Sequence, residues 1–328
     1  MDRRSFICAF TTLLVLAGPL VARAQTVTTI RRIGWLYSGT DVSASEIEEE
    51  IAPLRELGWI EGRNLLVERR YPNSNRAEVL LPLAEELVRL KVELIVTEGT
   101  VATLAAKSVT NNIPIVIRSS GDPVSTGLVA SLARPGGNIT GYSVVGPGID
   151  AKSVAVLREL VPSTQRIGVL QNSANPYFRA ARKNFEEACR LAGIHPIFLE
   201  VAATAELESA VAEAVRQRAQ ALFVHAEAIF FENRVEIARA ALRHALPTLV
   251  QGKKFLEAGG LISYTFSWAE LQRRGAAFID KILRGAKPRD LPIEQPTQFV
   301  LGINLRTAKE LGITVPQSLL LRADEVIQ

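Results

Sequence analysis

The sequence predicts an α/β protein of two similar lobes, each carrying a parallel sheet. Three observations carry that prediction. Short β-branched runs alternate with stretches of helical periodicity, the pattern of βαβ units. The alternation starts afresh near the middle of the chain, with landmarks recurring in the same order. Of the 328 residues, 48% are hydrophobic and 22% charged, an ordinary globular balance with length for roughly two domains.

The first 24 residues stand apart from the fold. Arg3 and Arg4 form a basic region, Phe6 to Leu16 is uncharged and almost wholly apolar, and Ala22-Arg23-Ala24 is an A-x-A cleavage site. These are the parts of an export signal cleaved near Ala24, so the expected location is the periplasm. The apolar run is too short for a membrane span. "RRSFI" also fits a twin-arginine signal, which leaves the Sec and twin-arginine routes both open. Arg3, Arg4, Arg23 and Asp2 leave with the signal, taking the formal charge from +4 to +2. No basic stripe remains that would suit nucleic acid. Cys8 leaves too, and Cys189 alone cannot form an intramolecular disulfide. It shares a helical face with Phe178 and Phe185, which reads as core.

"RRIGWLY" is the first strand. A helical pattern follows and stops at Gly58. Pro53 interrupts it, which predicts either a kink or a helix starting near Pro53. "NLLVERR" is the next strand, and Leu80, Leu83, Leu87 and Leu90 mark one face of a second helix. "ELIVT" and "PIVIR" are strands around a short helix from about Thr100 to Lys107. Then the pattern repeats. Arg32-Ile33-Gly34-x-Leu36 recurs as Arg166-Ile167-Gly168-x-Leu170, and Gly58 as Gly193. Leu94-Ile95-Val96 recurs as Leu222-Phe223-Val224, Pro114 as Pro247, and Gly136-Gly137 as Gly259-Gly260. Two lobes of about five strands each account for this order. A tail of about sixty residues adds a helix ending at Gly285 and a strand, "FVLGIN", and is expected to cross the lobe junction again.

The glycine-rich stretch "GDPVSTGLVASLARPGGNITGYS" has no lysine and hydroxyl beside its last glycine, as a phosphate loop needs. Its glycines follow a helix, whereas a dinucleotide fingerprint sits between the first strand and first helix. It reads as architecture: Asp122 caps a helix opening at Pro123, Arg134-Pro135-Gly136-Gly137 ends it, and "NITGYS" is the fifth strand. In open α/β sheets ligands sit beyond the carboxyl ends of the strands. That rule gathers Asp122 after "PIVIR", Asn175 after "RIGVLQ" and Glu227 after "ALFVH" around a cleft between the lobes.

At these residues the chain resembles the substrate-binding components of ABC transporters, in the branch with tryptophan- and tyrosine-binding members. The matching segments include "RELGWIEGRN", "LAEELVRLKVELIVTEGT", the GDPV…LARPGGN…G block, "NSANPY", "DKILRGAKPRDLPIEQPTQF" and "INLRTAKELGITVPQSLLLRADEVI". They span essentially the whole mature chain. The resemblance implies a type I periplasmic-binding-protein fold: two Rossmann-like lobes, a three-segment hinge and a ligand in the cleft. Lobe one would be 30–143 plus about 267–292, and lobe two 144–266 plus about 293–328. The hinge is expected near Tyr142 to Val145, Thr265 to Trp268 and Leu291 to Pro296. The chain departs from the family at Thr100-Val101, where Thr-Pro is usual, and at Glu227, where an Asp is usual.

The function expected is a monomeric periplasmic receptor that passes a small solute to the permease and ATPase of an ABC importer. The ligand expected is an amino-acid-like zwitterion or a carboxylate. Free helix N-termini at Thr100, Ser119-Ser120 and Asn175 suit a carboxylate. Asp122 and Glu227 suit an ammonium. Tyr37, Ser38, Tyr177 and Phe230 complete the candidate wall, whereas Arg118 would favour a dianionic ligand. A sensor of the same fold feeding a membrane receptor and an α/β enzyme are the alternatives. His195, His225 and His244 fall in no metal-ligand spacing, no G-x-S-x-G motif occurs, and no cofactor or metal is expected.

Overall fold

The computed structural model describes residues 30–39, 42–72, 76–146 and 148–328. The segment read as an export signal, with Cys8, lies outside them. The first lobe runs β1 (Arg31–Leu36), α1 (Ala44–Glu56), β2 (Leu65–Arg70), α2 (Ala77–Arg89), β3 (Leu94–Glu98), α3 (Thr100–Val109), β4 (Ile115–Ser119) and β5 (Ile139–Gly141). Its five strands form one parallel sheet in the order β2-β1-β3-β4-β5. The second lobe continues with α4 (Ile149–Leu160), β6 (Arg166–Asn172), α5 (Pro176–Leu191), β7 (His195–Val201), α6 (Leu207–Arg216) and β8 (Ala221–Val224). It then adds α7 (Ala228–Glu232), α8 (Arg234–Arg243), β9 (Thr248–Val250), α9 (Lys253–Glu257) and β10 (Ile262–Phe266).

The remaining chain serves both lobes. α10 (Trp268–Leu283) packs on the first sheet, against β3, β4 and β5. β11 (Phe299–Asn304) returns to the second sheet and pairs antiparallel with β10. α11 (Leu305–Glu310), α12 (Gln317–Leu320) and β12 (Glu325–Ile327) finish the chain. The second sheet thus reads β12-β11-β10-β9-β8-β6-β7. Three passages join the lobes, after β5, after β10 and after α10. The first and third run side by side: Ser143 N donates to Glu294 O at 2.9 Å, and Glu294 N to Gly141 O at 3.0 Å.

Each sheet is covered on both faces, which explains why its central strands read as unbroken apolar runs. In the first lobe α2 and α3 cover one face and α1 and α10 the other. In the second, α4 and α5 cover one face, α6 and α8 the other. The repeated R-I-G-x-L motif has a packing cause. A methyl at Gly34 would lie 2.9 Å from Leu87 of α2, and one at Gly168 3.0 Å from Ala214 of α6. Both glycines let a covering helix approach its sheet at the same place. Cys189 is buried on α5 and burial pushes its thiol up to about 12, in keeping with a core role.

Two local expectations are corrected. α1 does not start at Pro53; it starts at a Ser43–Glu46 capping box and runs through the proline. Residues 123–132 form no helix. The Asp122 carboxylate accepts from Val124 N and Ser125 N, but the Asp122 carbonyl is taken by the Ser125 and Thr126 hydroxyls, and Gly127 turns to a φ of 70°. Side chains that bond the local backbone compete with helix propagation, and the segment stops after one turn.

Candidate functional site

A cavity of about 80 Å³ lies between the lobes, at the carboxyl ends of β3 and β4 on one side and of β6, β8 and β9 on the other. The first lobe supplies Gly99, Thr100, Ser119, Ser120 and Gly121. Gly99 is the N-cap of α3 and offers no side-chain acceptor to the first-turn amides. Those amides and the positive end of the helix dipole therefore remain for an anionic group. Thr100 Oγ1 lies 3.2 Å from Ser120 Oγ and accepts from Gly121 N at 3.1 Å, which fixes both hydroxyls at the cavity wall.

The second lobe supplies the charge. Glu227 Oε1 accepts from Asn172 Nδ2 at 3.0 Å, and its Oε2 from Asn175 Nδ2 at 2.9 Å. Asn175 in turn caps α5 through Tyr177 N, so the helix start holds the carboxylate in place. Asp150, in the first turn of α4, also lines the cavity. Burial alone raises its pKa to about 6, and no cation among the described residues offsets that effect. No lysine or arginine is among the described lining residues. Tyr177, Phe178, Phe266 and His225 provide aromatic wall, and Val144, Val145 and Thr265 bring two of the interlobe passages to the site.

The lobes meet around this cavity. The ring of Tyr177 abuts Gly121. Glu46 of α1 pairs with Lys254 of α9, and the Glu232 carboxylate of α7 lies against Gly39. Burial, with Asp150 and Asp122 nearby, raises the pKa of the Tyr177 phenol and keeps it protonated.

Thr100, Ser119, Ser120, Asn175, Tyr177 and Glu227 line the cavity. Ser119-Ser120, however, opens no helix. The other candidates sit elsewhere. Tyr37 is 2% exposed beneath α1, donating to Glu50 at 2.5 Å and stacking on Tyr71. Ser38 is buried and donates to the Glu98 carbonyl. Phe230 is fully buried in the core under α6 and α8. Asp122 is engaged by its own turn and lies outside the cavity lining. Asp150, Gln251 and Phe266 were not legible as site residues. The acidic residue in the first turn of a helix just past a lobe crossing was the available signal for Asp150.

Arg118 is also absent from the cavity. It is 2% exposed, between the rings of Trp35 and Trp268, with centroids at 5.6 and 5.3 Å. Its guanidinium pairs with Glu98, with Glu50 at 3.1 Å, and donates to Gln272 at 2.9 Å. It therefore ties β4 to α1, to the end of β3 and to α10. Its charge is consumed within the lobe, so it cannot favour a dianionic ligand.

Comparison with known proteins agrees with this architecture. The ABC domain from Streptococcus pneumonia in complex with L-Trp superposes with a TM-score of 0.84 at 24% identity, covering 91% of this chain and 100% of that one. A conserved domain protein from Vibrio cholerae gives the same TM-score at 23% identity and the same coverage. Among curated proteins, the tyrosine-binding protein of Clostridioides difficile (strain R20291) is 23% identical over 264 residues, 80% of this chain and 75% of that protein. A sequence model described as ABC transporter substrate binding protein matches residues 29–327, and that family consists of binders rather than enzymes. The chain belongs to the ABC transporter substrate-binding protein family.

Proposed function

We propose that the protein captures an α-amino-acid-like solute in the interlobe cavity and delivers it to the permease and ATPase of an ABC importer. In this reading it is exported by its N-terminal signal and works in the periplasm as a monomer. One observation carries the ligand class: Asp150 is a half-buried carboxylate with no cation beside it among the described residues, in a cavity whose described lining has no basic side chain. An ammonium supplies the missing charge, and a charge-assisted hydrogen bond is stronger than a neutral one. The α3 N-terminus with Thr100 and Ser120 takes the carboxylate. Glu227, already held by two asparagines, adds a second acceptor on the ammonium side. The names of the relatives, a tyrosine-binding protein and an L-Trp complex, support the same class.

The proposal differs from the sequence expectation in one assignment. Asp150 replaces Asp122 as the partner of Glu227. A thermal-shift screen of the purified protein against amino acids, sugars, polyamines and dicarboxylates tests the class. A ligand at 100 times its Kd adds about 2.7 kcal/mol of stability. Amino acids are expected to raise the melting temperature. Stabilisation only by sugars or dicarboxylates would refute the reading.

A further inference from the structure

His225 follows β8 directly, is 6% exposed and forms part of the cavity wall. Three phenylalanines enclose its ring, with centroids 4.5 Å away at Phe223, 4.9 Å at Phe178 and 5.8 Å at Phe185. Its Nε2 is buried with no hydrogen-bond partner among the described residues. Burial drives its pKa down to about 3, so the ring is neutral at ordinary pH. A neutral imidazole carries one N–H donor and one lone-pair acceptor. Packing does not explain it: phenylalanine or leucine would fill an aromatic nest without burying a polar nitrogen. Buried polar groups in folded proteins are nearly always paired, and His225 lines the cavity a ligand would fill.

We propose that His225 is a specificity residue that reads a neutral hydroxyl or N–H on the ligand side chain. The idea rests on the amino-acid reading above and deepens it. Asp150 answers a charged group; a neutral imidazole answers an uncharged one. A ligand whose side chain is pure hydrocarbon leaves the imidazole unpaired in the closed cavity. An amino acid of the same shape with a hydroxyl or N–H satisfies it. Sites that hydrogen-bond such a group discriminate strongly against the analogue lacking it.

Matched pairs test this by calorimetry: L-tyrosine with L-phenylalanine, L-threonine with L-valine, and L-glutamine with L-methionine. The polar member of the best-binding pair is expected to bind at least about tenfold more tightly than its apolar mate. His225→Leu is expected to shrink that ratio to about twofold, and His225→Gln to retain part of it. The ¹⁵N shifts of the imidazole give a readout in the unaltered protein. Those of His225 should move on saturation, while exposed His195 and His244 stay fixed. Equal binding within pairs, a preference that survives His225→Leu, or unmoved His225 shifts would each overturn the assignment while leaving amino-acid capture standing. If no amino acid binds at all, the reading beneath it falls as well.

Discussion

The ring of Tyr177, from the start of α5, rests against the α-carbon of Gly121, in the loop after β4: a methyl on Gly121 would sit 2.3 Å from Cγ and Cδ2 of the tyrosine. One residue belongs to each lobe, and both line the cavity. This contact makes Gly121 a position where side-chain volume acts on closure rather than on folding. Gly121→Ala is expected to weaken ligand binding by tenfold or more, since overpacking costs about 1–3 kcal/mol. The melting temperature of the ligand-free protein should change little. Calorimetric titration checks the first effect and a thermal scan the second. Unaltered affinity would mean that the lobes do not need this contact to hold the ligand.

Asp150 sets a pH dependence. Burial raises its pKa to about 6, so it binds a proton below that pH. An ammonium requires the ionised form, so ligand affinity falls as pH drops through 6, by up to about tenfold per unit. Glu227 shares the site and His225 stays neutral throughout this range. Asp150→Asn should lower affinity by roughly 30-fold, about 2 kcal/mol, and flatten the profile between pH 5 and pH 7. Titrations of both proteins across that range decide the matter.

Arg118 is the position where a single substitution should cost the first lobe most. Arg118→Leu leaves Glu50 and Glu98 without their buried cation, and breaking such a pair costs about 3–5 kcal/mol. Burial, against the pull of Arg118, already raises the Glu50 pKa to about 7. The folded state therefore holds a proton there that an unfolded chain, near 4.5, has lost. Stability from this group declines as pH rises from about 4.5 to about 7. Urea melts should show a large loss for Arg118→Leu, and Glu50→Gln should remove that part of the pH decline.

The Glu46–Lys254 pair joins the lobes at the rim, with side chains 28% and 40% exposed. Burial opposes ionisation of Glu46, but Lys254 and Ser43 outweigh it and lower the pKa to about 2. Its contribution is present above about pH 4.5 and is lost as pH falls toward 2. At such exposure the pair contributes no more than about 1 kcal/mol and is screened by salt. Glu46→Gln is expected to change ligand affinity by less than about fivefold, with the difference vanishing in 1 M salt. A larger, salt-independent loss in the same titration would contradict this.

Most of the fold was legible because its signals are local and repeated. The R-I-G-x-L motifs, the apolar runs "ELIVT" and "ALFV", and Asn175-Pro176 at the start of α5 each act over a few residues. The strand-end rule brings Asn175 and Glu227 to the cavity edge but not Asp122, and the helix-start reading brings Thr100 there. Side-chain direction was not legible. Tyr37 follows β1 at a strand end like the others, yet its ring turns beneath α1 toward Glu50. Arg118 alternates away from the cavity within β4, and nothing local announces that Glu50, 68 residues earlier, is its partner. Asp150 was missed because a first-turn acid is usually a solvated helix-dipole residue; only the packing of α4 against the cleft half-buries it at the cavity wall.

The central claim is that the cavity selects for an ammonium. Calorimetry with an amino acid that stabilises the protein and with its deaminated analogue, such as L-tyrosine and 3-(4-hydroxyphenyl)propionate, tests it most directly. The two share the carboxylate and side chain and differ only in the group assigned to Asp150 and Glu227. The account predicts at least about 100-fold weaker binding of the deaminated acid, and no further loss for that acid in Asp150→Asn. Equal binding of the two compounds would contradict it.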